Sequence, residues 1–453
     1  MKNPPQFRSE GPAVAVVTMR TKRSSLRRRL TRDSFEHSNL NQAITVCQHL
    51  NRLETAISSR DIEADGNRFV DSPGSALPAD ILEKISADVV SIPDLQEQLL
   101  TASPLLAVRD RVAHQYQIAG GKVVLRISSS LPPQIQGYGL FLPDRVYVGI
   151  GRVSTGLGCP HGETEPDFLG LRLSFMAPEE RRVDFIAINH PASPTDTHRS
   201  FVALLHATIA STRASEAVAR PSIARRAASS IGLTAALIGR LGLVRGARTA
   251  LHVARQTSRT ARSKSALQPY WTGVIEIGGE SGKFIFRPGE GSVEPARTGP
   301  RSQRLTRDWQ GRQAAGPIRF NVYWTPFIDE ASTSKTDLSR VWKEEPKLIG
   351  EVSFPQQLAE DETAGLWASL AEEMGAHPGN WVGAGSGLID NAAEFAAART
   401  LAYRASQSGR DALPIETYRA VFTSGQIPPS LEAELRRRRE IKLASGHRSH
   451  AAH

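Results

Sequence analysis

The hydrophobic and polar positions divide the chain into three textures. In the centre, apolar residues alternate with polar ones or run β-branched: KVVLRIS (Lys122–Ser128), RVYVGIGRVS (Arg145–Ser154), LRLSF (Leu171–Phe175) and VDFIAIN (Val183–Asn189). That period of two is the mark of half-buried strands. It returns at TGVIEI (Thr272–Ile277), KFIFRP (Lys283–Pro288), IRFNVYW (Ile318–Trp324) and LIGEVSF (Leu348–Phe354). Between the two strand groups, Ala203–Arg262 is rich in Ala, Leu and Arg and predicts helix; helical periods also mark Ala79–Val90, Glu360–Met374, Asn391–Ser408 and Pro429–Leu443. Residues 1–75 are polar, Arg- and Ser-rich and weakly periodic, which predicts a loosely ordered arm, and Pro78, Pro93 and Pro104 punctuate the next region. Central strands with helices segregated to one insertion and to the C-terminal end predict an α+β fold built on an antiparallel sheet or barrel.

Composition narrows the class. The 453 residues are 40% hydrophobic and 23% charged, a globular balance with room for a core around a large ligand. No run approaches the roughly eighteen apolar residues of a membrane span. Two cysteines, Cys47 and Cys159, exclude a disulfide scaffold or a Cys-rich metal site and point to a reducing compartment. The 56 basic residues against 46 acidic ones give a net charge of +10, unevenly spread. Arg20–Arg32, the acid-free stretch after Glu216 up to Lys264, and Arg436–Arg439 are the basic runs. They suit phosphate or an anionic membrane face, or are solvated helix faces; no aromatics interleave with them as a nucleic-acid platform needs. The Arg20–Arg32 run follows a short apolar stretch instead of preceding one, unlike a secretory leader, so the expected location is cytoplasmic.

Some features have plain readings. GVIEIGGESGKF (Gly273–Phe284) lacks the spacing of a phosphate-binding loop and predicts a hairpin. Ile231–Val244, interrupted by Arg240, suits a basic amphipathic helix on a membrane surface, or packing against the barrel or a second subunit. His447, His450 and His453 form a polar tail.

Three short motifs bear candidate chemistry. In the helical segment around Arg399-Thr-Leu-Ala-Tyr403, Arg399 falls one turn before Tyr403 on the same face and Arg410 about two turns after it. Flanking guanidiniums favour a phenolate, and a phenolate is a hard donor suited to ferric iron. The same pattern also describes an ordinary amphipathic surface. Arg111-Val-Ala-His114 precedes the first strand, where a His is either an acid–base group or a partly buried structural residue. In Arg152-Val-Ser154-Thr155, alternation puts Arg152 and Ser154 on one face of a strand end.

Taken in order, these motifs resemble the haem catalase family. RVAH (Arg111–His114) is similar to that family's R-V-V-H around the distal histidine, and RVST (Arg152–Thr155) to its R-F-S-T strand. PASPTDTHRSF (Pro191–Phe201) keeps the family's spacing from a Pro to the Phe that packs on haem. DLSRVW (Asp337–Trp342) with the PKLIGEV after it, EEMGAHPGN (Glu372–Asn380), and R-x-x-x-Y-x6-R ending at Arg410 complete the resemblance, which covers roughly residues 105–410. It implies a catalase-like antiparallel β-barrel over 105–410, carrying a basic helical insertion at 207–264, between an N-terminal arm with short helices (1–104) and a C-terminal helix with a basic tail (411–453). That tail is too short for the extra domain of the largest catalases, so the likeness is to the small-subunit type.

The resemblance further implies haem b, with Tyr403 as the iron ligand held as phenolate by Arg399. His114 is then the distal acid–base residue, Ser154 orients it, and Phe201 packs on the distal face. Arg111, Arg152 and Arg410 pair with the propionates. The family's distal Asn falls at Ile188, one position before Asn189, which is the candidate for that role. The aromatics expected after Pro191 are replaced by Ala192-Ser193-Pro194. The expectation is therefore a haem-dependent peroxidase or catalase-like enzyme, taking hydrogen peroxide or an organic hydroperoxide and a reductant and assembling as a homo-oligomer. A hydroperoxide isomerase, a non-catalytic haem-binding protein and a membrane-associated protein using the basic insertion are the alternatives; no specific nucleic-acid partner is expected.

Overall fold

A computed structural model describes residues 79–102, 111–156, 163, 165–178, 180–217, 222–260, 264–290, 303–379 and 391–444. The expected arm over 1–75, both cysteines and the tail histidines lie outside the described residues. Among the described residues there are nine strands: β1 (Gln117–Ile127), β2 (Val146–Thr155), β3 (Leu169–Met176), β4 (Arg182–Ile188), β5 (Tyr270–Thr272), β6 (Ile275–Ile277), β7 (Glu280–Pro288), β8 (Ile318–Pro326) and β9 (Lys347–Phe354). Their order is β5-β4-β3-β2-β1-β9-β8-β7-β6, and Tyr270 and Trp271 of β5 pair with Phe286 and Ile285 of β7. That pairing closes eight antiparallel strands into a barrel, leaving β6 as a flap on β7 and removing the free sheet edges. The TGVIEI segment is thus two short strands broken at Gly273 instead of one, and the expected hairpin turns at Gly278–Gly279 between Ile277 and Glu280.

Alternation sorts side chains between the inside of the barrel and its outer, helix-covered face. Phe175, Phe185, Phe284, Phe286, Phe320, Phe354 and Trp324 are fully buried together in the barrel core. Phe185 meets Phe284 and Phe286 edge-on, with ring centroids 5.1 and 5.4 Å away. Each such apolar side chain contributes about 1.5–3 kcal/mol relative to exposure. On β2 and β3 the intervening positions, Arg152, Ser154, Gly170 and Arg172, fall on the outer face.

Two helical groups cover that face. The helices α1 (Ala79–Val89), α2 (Ile92–Ala102), α3 (His198–Glu216) and α8 (Asn391–Gly409) share an apolar cluster of Val89, Ile92, Leu95, Leu99, Val202, Leu205, Ile209, Ala402 and Ala405. The expected helix over Ala203–Arg262 is three: α3, then α4 (Ser222–Leu241) and α5 (Leu243–Thr260). Thr197 caps the start of α3, its hydroxyl accepting from the Ser200 N–H, and Gly242, at φ +79°, turns the chain between α4 and α5. Pro93, expected to interrupt, sits in the first turn of α2, where a missing N–H costs nothing. The second group is α7 (Glu362–Glu373), α9 (Ile415–Ser424) and α10 (Pro429–Ala444), joined on the barrel through Ile150, Trp367, Leu370, Tyr418, Val421, Leu431 and Leu435. Between β7 and β8, α6 (Arg304–Ala315) brings buried Trp309 to Phe354, edge-on at 5.0 Å.

In the Arg436–Arg439 run the first three arginines are paired with carboxylates. Arg436 binds Glu432 (2.7 Å) and Glu362, Arg437 binds Glu434 (2.7 Å), and Arg438 bridges Glu434, Glu373 and Asp411.

Candidate functional site

A cavity, partly open to solvent, lies between the outer face of β2–β4, the segment ahead of β1 and the helical wall. His114 and Arg111 enter it from the segment ahead of β1, Arg152 and Ser154 from β2, Phe201 from α3, and Tyr403 and Arg410 from α8 and the residue after it. Seven of the nine residues singled out from the sequence therefore border one enclosure, though they come from four separate parts of the chain. Arg399 stands just behind: its guanidinium carbon is 5.9 Å from the Tyr403 ring centroid and 5.7 Å from that of Phe395. Phe395 in turn meets Phe201 edge-on at 5.6 Å, fixing that ring at the cavity wall.

His114 is held on three sides. Its N–H donates to the Gly156 carbonyl (2.9 Å), and its Nδ1 lies 3.2 Å from Ser154 Oγ. A Cβ at position 170 would sit 2.4 Å from Nδ1, so only glycine leaves the ring its place. The backbone of His114 is left-handed, φ +57°, a conformation that costs a non-glycine residue about 1–3 kcal/mol and persists where the surroundings impose it. Burial first, then the Arg152 guanidinium, push its imidazole down to about 4, against the pull of Asp167. At neutral pH the ring is uncharged. With Nδ1–H donating to Ser154, Nε2 carries a free lone pair and can take a proton.

At the other end stands a cluster of guanidiniums around one carboxylate. Arg152 Nε donates to Glu372 Oε2 (2.7 Å) and Arg111 to Glu372 Oε1, while Arg410 donates to the Met374 carbonyl at 3.0 Å. Although burial opposes its ionisation, Arg111 and Arg152 hold the Glu372 carboxyl well below the usual range. A fourth cation, Arg172, also lines the cavity. It donates to the Ala371 carbonyl (2.6 Å), but its Nε is buried with no partner. Burial and the like charges of Arg152 and Arg111 push it down to about 9, against the pull of Asp184, so it still carries its charge at neutral pH. The four guanidiniums make this end of the cavity suited to the carboxylates of a ligand.

Asn189, the candidate for the distal amide, does not border the cavity. It stands past the end of β4, where its Oδ1 accepts from the Leu169 N–H (2.7 Å) and its own N–H donates to the Leu169 carbonyl (2.9 Å). Ile186 and Ala187 form the wall there. Sequence reading missed Gly170, Arg172 and Glu372. The signal for the first two is strand register, since Gly170 is opposite Ser154 and Arg172 opposite Arg152. Like charges facing each other across a ladder are destabilising and persist where something else needs them.

The apolar side of the cavity, with Ile92, Val112, Leu171, Phe201, Leu205 and Ala402, suits a flat hydrophobic group, and the arginine end suits its carboxylates. The residues present therefore fit haem. Tyr403 could ligate its iron, and Arg111, Arg152, Arg172 and Arg410 could pair with its propionates.

No protein-family model matches the chain, and no curated protein matches it. Among solved structures, a fungal catalase superposes with a TM-score of 0.50 at 13% identity, covering 67% of this chain and 60% of that one. A bacterial catalase and catalase A from Saccharomyces cerevisiae each give 0.48, at 17% and 15% identity, over 67% of this chain and 58% and 61% of theirs. The chain thus matches about three-fifths of the length of these catalases. The barrel closed by β5 and β7, the helices packed outside it and the likeness to the fungal enzyme together make this a catalase-like α+β fold.

Proposed function

We propose that the protein is a haem-dependent oxidoreductase of catalase or peroxidase type, acting on hydrogen peroxide or an organic hydroperoxide. The observation that carries this reading is the single cavity that gathers a tyrosine, an uncharged buried histidine and four arginines. Haem bound there would supply a ferric centre able to accept an oxygen atom from a peroxide. Tyr403 would ligate it, with the Arg399 guanidinium 5.9 Å from its ring centroid. His114, oriented by Ser154, would take a proton at Nε2 from one peroxide oxygen and deliver it to the other, so that water or an alcohol is the leaving group and the remaining oxygen atom is left to the haem. A positioned imidazole contributes about 10²–10⁴-fold to such a transfer. With Asn189 outside the cavity, Ile186 and Ala187 give it an apolar wall that favours an organic hydroperoxide over hydrogen peroxide.

The test begins with the absorption spectrum of protein expressed with haem available. A ferric, tyrosinate-ligated spectrum that disappears in Tyr403→Phe is expected. His114→Ala should keep the haem and lose peroxide turnover by about 10²-fold or more. Wild-type protein that takes up no haem would sink the reading; haem uptake without turnover of any peroxide would leave a haem-binding protein instead of an enzyme. Product analysis with a hydroperoxide, in the presence and absence of a reductant, separates reduction from isomerisation.

A further inference from the structure

Away from the cavity, α4 and α5 form a tight hairpin whose outer surface has one charge sign. A Cβ at Gly246 would lie 2.5 Å from the Ile238 backbone, so the two helices touch closely near their turn and hold it rigid. The inward face packs as a core: Leu237, Ala250 and Val253 are buried with Ala203, Leu204 and Ala207 of α3. The outward face does not. Leu243 is 71% exposed and Val244 83% exposed, directly after the Gly242 turn, and Leu251 is 51% exposed. Val244, Arg248, Leu251 and Arg255 succeed one another at helical spacing along α5, and all four are exposed. Arg240 adds an exposed charge at the tip. From Ala217 to Lys264 the sequence holds no Asp or Glu.

We propose that this hairpin docks the protein on a membrane surface rich in anionic lipid, with Leu243 and Val244 entering the interface and Arg240, Arg248 and Arg255 on the headgroups. Apolar tips in water are costly, and interleaved arginines match a negative headgroup layer. Each arginine brought to such a surface is worth roughly a fivefold gain in partitioning. No described helix is long and apolar enough to cross a membrane, so the contact is peripheral. A second copy of the chain is a poor occupant, because a twofold contact would set these cations against their own equivalents. Nucleic acid is poorer still: no Phe, Trp or Tyr lies between Ala217 and Lys264 on which a base could stack.

Flotation of the full chain with vesicles of phosphatidylglycerol and phosphatidylcholine, at low and high salt, tests the proposal independently of haem content. The expected result is partitioning that needs phosphatidylglycerol and weakens with salt. It should fall by about tenfold or more both in L243D/V244D and in R240Q/R248Q/R255Q. The substituted side chains are exposed, so both variants should keep the wild-type circular dichroism and melting curve. Absence of binding to anionic vesicles, or variants that bind like wild type, overturns the proposal. So does a duplex DNA affinity that the arginine variant loses and the Leu/Val variant keeps, or a dimer in light scattering that L243D/V244D abolishes.

Discussion

His114 holds its place at the cavity at the expense of stability. A left-handed backbone and an uncharged ring are both unfavourable choices for a histidine, and here Gly156, Ser154 and the vacant side of Gly170 impose them. Gly170→Ala should displace the imidazole while leaving the arginine end intact. Haem uptake should survive and peroxide turnover should fall by about 10²-fold in steady-state kinetics; unchanged turnover would show that Gly170 does not set the ring's position. The pH dependence has a fixed sign. The unfolded chain takes a proton on this ring as pH falls through about 6.5, the folded protein only near 4. Stability from this residue is therefore complete above 6.5, declines down to about 4 and is level below. Denaturant unfolding should show wild type losing about 2–3 kcal/mol more than His114→Gln between pH 7 and pH 4. Equal losses would mean the ring is not held uncharged.

At the scale of elements, the pairing of β2 with β3 aligns Arg152 with Arg172 and Ser154 with Gly170, so one register sets both ends of the cavity. Slipping it by one residue would turn both pairs into the barrel core. The Arg152–Arg172 pair is a cost that a dianionic ligand would offset. Arg172→Met should therefore stabilise the ligand-free protein by about 1–2 kcal/mol and weaken haem binding by about tenfold, read from thermal melts and spectral titration. A lower melting temperature without ligand would show that Arg172 serves the fold alone. The strands were legible because period-two alternation survives in a barrel with one apolar face. α6 and α9 were not. In α6 the sequence RLTRDWQGRQAA buries only Leu305, Thr306, Trp309, Arg312 and Gln313, too mixed a face to announce a helix. Glu372, though inside a predicted helix, shows nothing of its role until α7 is laid across Arg111 and Arg152.

For the molecule as a whole, the aromatic core decides whether the cavity exists, since its strand wall is the outside of the same barrel. Phe284 is fully buried and touches Phe141, Phe185 and Trp324, with centroids at 5.3, 5.1 and 4.8 Å. Phe284→Ala should cost about 3–5 kcal/mol in denaturant unfolding, with haem release and loss of secondary structure in one transition. Separate transitions would mean that the helical wall holds the ligand without the barrel.

By itself the sequence determined the α+β class, most of the strands, and the chemical identity of the cavity's tyrosine, histidine and arginines, because periodicity and side-chain chemistry are local properties. Tertiary structure alone decided which of those residues meet. It put Asn189 on a backbone N–H instead of in the cavity and added Arg172 and Glu372 to the arginine end. It closed β5 onto β7 and paired Arg436, Arg437 and Arg438 with carboxylates. Register, burial and charge compensation depend on partners far along the chain, and no local pattern encodes them.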